Sequence, residues 1–393
     1  MNDRADIFRG KQSIVAGAIA FVLGAGALGI GFVIHPIYAY AAYLSAYAWA
    51  FSMILGALLF LMIAHAMAAQ WPVAIRRVVE AIVGLLPLGI LGFIPIVLGM
   101  SRIFPWANPN SDRDEMAQEL WTHQRPYLNP SAFLLRAMVY FILWLVIATL
   151  LRQWSLRQDL RPEPRYARYS RTVSAVGLFP VALAMTFASF DWLMSLSPAW
   201  YSTMFGVYWF AGGFLAAICL IVVIIASLQR LGMCSRIGRG HYHALGRLML
   251  TFTIFWAYAA YFQLFLIWMA NKPPEVLFYA LRATPEWLPF GIALAMGHFV
   301  GPFLILLLYR VKQSARSLAP VAGWLLLAHW MDMQWLVMPV VRPHGPTIHW
   351  VDVAAMVGVA GALLTYGSFR LRGHSVVPKN EPLLEAAYKY EST

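Results

Sequence analysis

Apolar stretches of about 20 residues or more fill most of this chain and alternate with short polar segments that gather Arg, Lys, Pro and Gly. An α-helix rising about 1.5 Å per residue needs about 20 apolar residues to cross a hydrocarbon core about 30 Å thick. About ten stretches meet that length: Ile14–Ile34, Tyr40–Ala69, Val78–Leu98, Ser131–Leu151, Thr172–Met194, Ser202–Leu228, Arg247–Ala270, Pro289–Leu308, Leu318–Met338 and Ile348–Leu371. None reads as the short alternating strands of a membrane barrel. The pattern predicts an all-α integral membrane protein with about ten transmembrane helices, a single polytopic domain over residues 1–393. In the third stretch, Pro87, Gly89, Gly92 and Pro95 predict a helix that is kinked or broken.

Composition agrees and adds an orientation. Hydrophobic residues make up 61% and charged residues 12% of the chain, a balance that a water-soluble domain of 393 residues could not carry without large exposed apolar patches. Of the 29 Lys and Arg, 22 lie at the N-terminus, in the connections after helices 2, 4, 6 and 8, or at the C-terminus. The odd-numbered connections hold 6, and Arg136 lies near the start of helix 4. That asymmetry predicts that both termini are cytoplasmic. The net charge of +12 then reads as topology and contact with anionic lipid, not as nucleic-acid binding.

The two cysteines, Cys219 and Cys234, allow neither a disulfide framework nor a cysteine-ligated cluster, so any iron–sulfur centre must belong to a partner. No nucleotide loop, zinc spacing or nucleophile elbow is present, and no catalytic or metal-ligating residue is assigned. The first stretch exceeds a signal-peptide core and is read as a retained helix. The longest outward connection, Met100–Pro130, holds Ser111 placed to cap a short helix through Asp114 and Glu115, read as a surface helix covering the bundle. The glycines at positions 24, 26, 29, 31, 212 and 213 sit inside stretches, where small residues permit close helix packing.

Ionisable side chains at membrane depth cost at least about 2.5 kcal/mol each on insertion scales, so each is a functional candidate unless it pairs or reaches the interface. Counting along the helices places Asp191, Gln263, Asp332 and Asp352 in the outer third of the membrane. His298 and His329 fall near the middle, and His65 and Glu80 lie at the cytoplasmic side beside Arg76 and Arg77. His329 and Asp332, spaced i, i+3, share a helix face, where a carboxylate can hold an imidazole for proton relay or simply clamp two helices. Together these eight residues outline a candidate proton route.

The segment TFASFDWLMSLSPAWYSTMFG from Thr186 to Gly206 resembles a signature of the second polysulfide-reductase-like membrane subunit of alternative complex III, a bacterial quinol:cytochrome c or quinol:electron-acceptor oxidoreductase. Further matches follow in order: HAMAAQWPVAIRRVVE from His65 to Glu80, RPYLNPSAFLLRAMVYFILW from Arg125 to Trp144, FWAYAAYFQLFLIWMANKPPE from Phe255 to Glu275, and HWMDMQWLVMPVV from His329 to Val341. The chain departs from the family pattern at Ala64, Ala244 and Phe262, where a His, an acidic residue and a Ser are frequent.

The resemblance implies two four-helix bundles, over 40–194 and 202–338, flanked by helix 1 at 14–34 and helix 10 at 348–371, with a cytoplasmic tail over 372–393. It also implies a subunit of the bacterial inner membrane that carries no cofactor of its own. Its expected partners are a homologous membrane subunit better suited to quinol oxidation, a periplasmic iron–sulfur protein and c-type cytochromes that carry haem c. The expected function is scaffolding and proton conduction within that complex. Two alternatives stay open from the residues: a quinone-binding membrane anchor, with His298 and Gln263 as head-group contacts, and a stand-alone secondary transporter.

Overall fold

Proline opens α2 (Pro36–Ala66), α8 (Pro130–Leu160) and α9 (Pro164–Trp192), at a first-turn position where its missing N–H removes no helical bond. The Asn129 side chain caps α8 by accepting from the Ala132 N–H at 2.9 Å. A computed structural model describes residues 7–108, 115–347 and 349–391. The other helices in chain order are α1 (Lys11–Ile34), α3 (Arg76–Val83), α4 (Leu86–Gly92), α5 (Ile94–Leu98), α6 (Met100–Ile103), α7 (Glu115–Gln124), α10 (Phe205–Arg230), α11 (Arg239–Ala270), α12 (Pro273–Ala280), α13 (Leu288–Leu294), α14 (Gly301–Leu307), α15 (Ala315–Val341), α16 (Trp350–Leu371) and α17 (Leu384–Tyr388). Among the described residues there is no strand, only a single antiparallel bridge between Ile7 and Ser375. Ser111 and Asp114 lie outside the described residues, as does Ile348, the expected first residue of helix 10.

The protein is an all-helical, multi-pass membrane protein: nine helices among the described residues are long and apolar enough to cross a bilayer. The stretch expected as the ninth of ten, α15, is 27 residues long and so has the length to cross. Three Trp together with His329, Asp332 and Gln334 keep it below the hydropathy of the other nine. It tolerates them because it packs against α2 and α10, so that these polar groups face protein.

The core is built around α2, which touches α9, α10, α15 and α16 and is buried along nearly its whole length. Glycine makes those contacts close. A Cβ on Gly213 would stand 2.7 Å from the Ser52 backbone oxygen, and one on Gly56 would stand 2.5 Å from the Gly213 oxygen, so α2 and α10 meet backbone to backbone. Gly24 and Gly358 do the same for α1 and α16, where a Cβ on Gly24 would lie 2.3 Å from the Gly358 nitrogen. Gly24→Val is therefore expected to pry α1 from α16 and to destabilise the protein by about 1–3 kcal/mol, read as a lower melting temperature in detergent.

The third stretch is segmented as expected. A 3₁₀ turn at Trp71–Ile75 leads into α3, and α4 and α5 follow with breaks near Leu85 and Phe93. The break is closed by the protein itself: the Tyr43 hydroxyl donates to the Gly92 carbonyl at 2.5 Å, and Gly89 makes room for the Phe51 ring. The C-terminal tail is folded down across the end of the bundle that carries both termini. Gly373 N donates to Phe8 O at 2.9 Å, Arg76 pairs with Glu381 at 2.7 Å, Arg236 with Glu385 at 2.7 Å, and Tyr390 stacks on Trp71.

Candidate functional site

Two of the glycines that set the α2–α10 distance also shape a buried polar cluster. Gly212 leaves space for the His329 imidazole, since a Cβ there would lie 3.0 Å from its Cε1, while Gly213 admits Ser52 from α2. Ser52 Oγ and His329 Nε2 are then 2.9 Å apart, and Ser52 Oγ also donates to Trp49 O at 2.9 Å. One turn along α15, Asp332 accepts from the Tyr208 hydroxyl of α10 and, at 3.1 Å, from Trp256 Nε1 of α11. His329 Nδ1 lies 3.9 Å from Asp332 Oδ2, close enough for charge pairing and beyond a direct hydrogen bond. His298 completes the group, its ring centroid 6.2 Å from that of His329 and 3.9 Å from that of Trp256.

His298, His329 and Asp332 are fully buried. His298 sits in a π-helical turn, Ala295–Val300, between α13 and α14, a distortion frequent at functional sites. Both ring nitrogens of His298 and Nδ1 of His329 have no hydrogen-bond partner among the described residues. Buried polar atoms are nearly always bonded, and three imidazole nitrogens without a partner fall within this one cluster.

The remaining sequence candidates are held differently. Asp191 is locked by Arg136 through two bonds of 2.9 and 2.8 Å, with a third from the Tyr140 hydroxyl at 3.0 Å. Asp352 is locked by Arg342 at 2.7 and 3.1 Å and accepts from the His349 N–H at 2.9 Å in a helix-capping box. Glu80 accepts from Arg77 at 2.7 Å and Arg152 at 2.6 Å, and Arg76 stands 3.5 Å away. Arg77 in turn bonds Asp159. The expected outer layer of converging polar groups is thus three separate constructions: no hydrogen bond joins Asp191, Asp332 and Asp352, because arginines hold the first and last in their own corners. Gln263 is buried, and its amide donates to Ala259 O of its own helix at 3.2 Å, with no bond to His298.

His65 and Glu80 border different cavities, each of about 270 Å³, at the end that carries the termini. One is lined by His65, Arg76 and Gln158, the other by Glu80, Arg152 and Arg370. Among the described residues no group of three or more His, Cys, Asp or Glu is arranged to hold a metal ion.

Four participants were not singled out from the sequence. Ser52, Tyr208 and Trp256 carry no charge and resemble any other membrane Ser, Tyr or Trp. Arg282 was counted as a connection charge, yet it is 3% exposed and spends its donors on the carbonyls of Phe278, Trp335 and Leu336 at 2.7, 3.1 and 2.8 Å. Burial pushes its guanidinium down to about 9, opposed by the Tyr279 and Tyr208 phenols, so it remains a cation at neutral pH, felt at the tyrosine that bonds Asp332. Its spacing gave no signal; Arg between Leu281 and Ala283 reads as an interface residue.

The arrangement sets one carboxylate and two imidazoles in a single buried group, with 3.9 Å between His329 and Asp332. A scan against protein-family models gave no match to this sequence, and a comparison with curated proteins gave none either.

Proposed function

We propose that this chain is a proton-handling and scaffolding membrane subunit of a quinol-oxidising respiratory complex of the bacterial inner membrane. The observation that carries the proton reading is the contrast among its buried carboxylates. Asp191, Asp352 and Glu80 each pair with arginine, whereas Asp332 faces two neutral donors and a histidine. A carboxylate without a cationic partner in a low-dielectric site can exchange its proton, and His329 stands 3.9 Å from it with His298 beyond, its ring 6.2 Å from that of His329.

The respiratory assignment rests on the sequence resemblance over nearly the whole chain. In this reading helices α2–α5, α8 and α9 form one bundle and α10, α11, α13–α14 and α15 the other, with α1 and α16 flanking and both termini in the cytoplasm. His65 and Glu80, beside the two terminal-end cavities, form the entrance. Asp332, His329 and His298 form the inner station, while Asp191 and Asp352 act structurally through their bonds to Arg136 and Arg342. Quinol oxidation, haem c and iron–sulfur chemistry belong to the partner subunits. A secondary transporter draws less support, because Tyr43 and Phe51 fill the break in the third stretch that such a reading needs.

Purification in mild detergent tests the assignment. The chain should co-migrate with cytochromes that give a c-type redox difference spectrum and with quinol-oxidising activity. Recovery of the chain alone, with no redox-active companion, would remove the respiratory reading.

A further inference from the structure

At the end of the bundle that carries the termini, a cavity of about 270 Å³ opens between the last turn of α2, the start of α3, the end of α8 and the first turns of α9. Its lining includes three arginines, Arg76, Arg168 and Arg171, and one acidic residue, Glu381 from the tail. Arg76 is 9% exposed, and its Nη1 holds Glu381 at 2.7 Å while its Nη2 has no partner. Arg168 and Arg171 are exposed and make no ion pair among the described residues. The buried His65 Nε2 also faces no partner.

Glu80, which touches Arg76 from behind, is already answered by Arg77 and Arg152. The cavity therefore keeps a surplus of positive charge, and the Arg76–Glu381 bond shows that an oxyanion fits there. The rest of its lining mixes Ser155, Gln158 and Ser170 with apolar groups, from the alanines at the end of α2 to Trp154, whose ring lies 5.6 Å from that of Tyr169 as in an interfacial aromatic belt.

We propose that this cavity binds an anionic phospholipid, with the phosphodiester held by the arginines and the glycerol portion against the alanines and Trp154. Basic pockets between helices at a membrane surface suit such head groups, and the mixed polar and apolar lining suits a lipid better than a free anion.

The test uses the full chain in neutral detergent, with phosphatidylglycerol and phosphatidylcholine offered at equal amounts and bound lipid read by native mass spectrometry. Phosphatidylglycerol should be retained preferentially. Arg168→Gln with Arg171→Gln should lower that retention about tenfold or more, and Arg161→Gln, in the same connection but outside the cavity wall, should leave it unchanged. Both replaced arginines are exposed, so the fold should hold, as an unchanged elution profile would show. Equal retention of the two lipids by the wild-type chain overturns the proposal even if the variant does not fold. So does retention that the double variant leaves unaltered. Displacement of the lipid by inorganic phosphate at comparable occupancy would identify a site for a free anion and overturn the lipid reading.

Discussion

Asp332→Asn in the assembled complex should cut proton release coupled to quinol oxidation by about tenfold or more, the lower range of what a positioned acid–base group contributes. The chain itself should still fold. Asn matches Asp in shape, its amide oxygen can accept from Trp256, and the Tyr208 hydroxyl can turn to accept from the amide N–H, so both bonds of the native carboxylate have counterparts. What Asn cannot do is take up and return a proton. The measurement is acidification outside reconstituted vesicles during turnover, normalised to electrons transferred. Unchanged coupling with normal turnover would reduce the His298–His329–Asp332 group to a polar clamp between α10, α11 and α15. Asp191→Asn is the informative control: it disturbs the pair with Arg136 and should lower stability while leaving the proton count per electron where it was.

Glu80→Ala should be among the most destabilising single changes in the chain. The carboxylate is 3% exposed and is shared by Arg76, Arg77 and Arg152 from α3 and α8, so its removal leaves Arg152 with no carboxylate while Arg76 keeps only Glu381 and Arg77 only Asp159. Breaking a buried pair by deleting one partner costs about 3–5 kcal/mol, and the second carboxylates on Arg76 and Arg77 place this site at the lower end. Thermal unfolding in detergent reads the loss directly. Combining Glu80→Ala with Arg152→Ala should restore part of the stability, because one unanswered charge leaves with its arginine. A double variant no more stable than the single one would mean that Arg152 is solvated on its cavity side and contributes little to the knot.

Legibility in the sequence followed the size of the physical signal. A transmembrane helix announces itself through about 20 consecutive apolar residues, a local property that needs no partner. All stretches but α15 qualify on that ground, and α15 falls short for the same reason it was singled out: His329 and Asp332 interrupt it. The membrane cost of an ionised side chain likewise made Asp191, Asp352, Glu80 and Asp332 visible one by one. It could not sort them, since each is one carboxylate in an apolar run.

The sorting comes from which arginine lies across the gap. Arg136 is 55 residues from Asp191, Arg152 is 72 from Glu80, and nothing in either segment names its partner. Asp352 and Arg342, ten residues apart across a connection, were the closest to readable, yet they form a cap and a bidentate pair only because the backbone turns back at His349. The neutral members of the cluster were invisible for a different reason: Ser52 is 277 residues from His329, and the glycine pair on α10 that lets them meet looks like ordinary small-residue packing.

By itself the sequence determined the solvent, the run of long apolar segments, the broken third stretch and the set of polar groups worth attention, because hydropathy and helix geometry are local. The tertiary structure decided which carboxylates pair with arginine and that Asp332 instead meets Tyr208, Trp256 and His329. It also decided that Arg282 is buried and that the tail brings Glu381 to Arg76. Those outcomes depend on distances between helices far apart in the chain, set by glycine contacts and by arginine reach, and Coulomb energy and hydrogen bonding respond to distance in space and not to position in sequence.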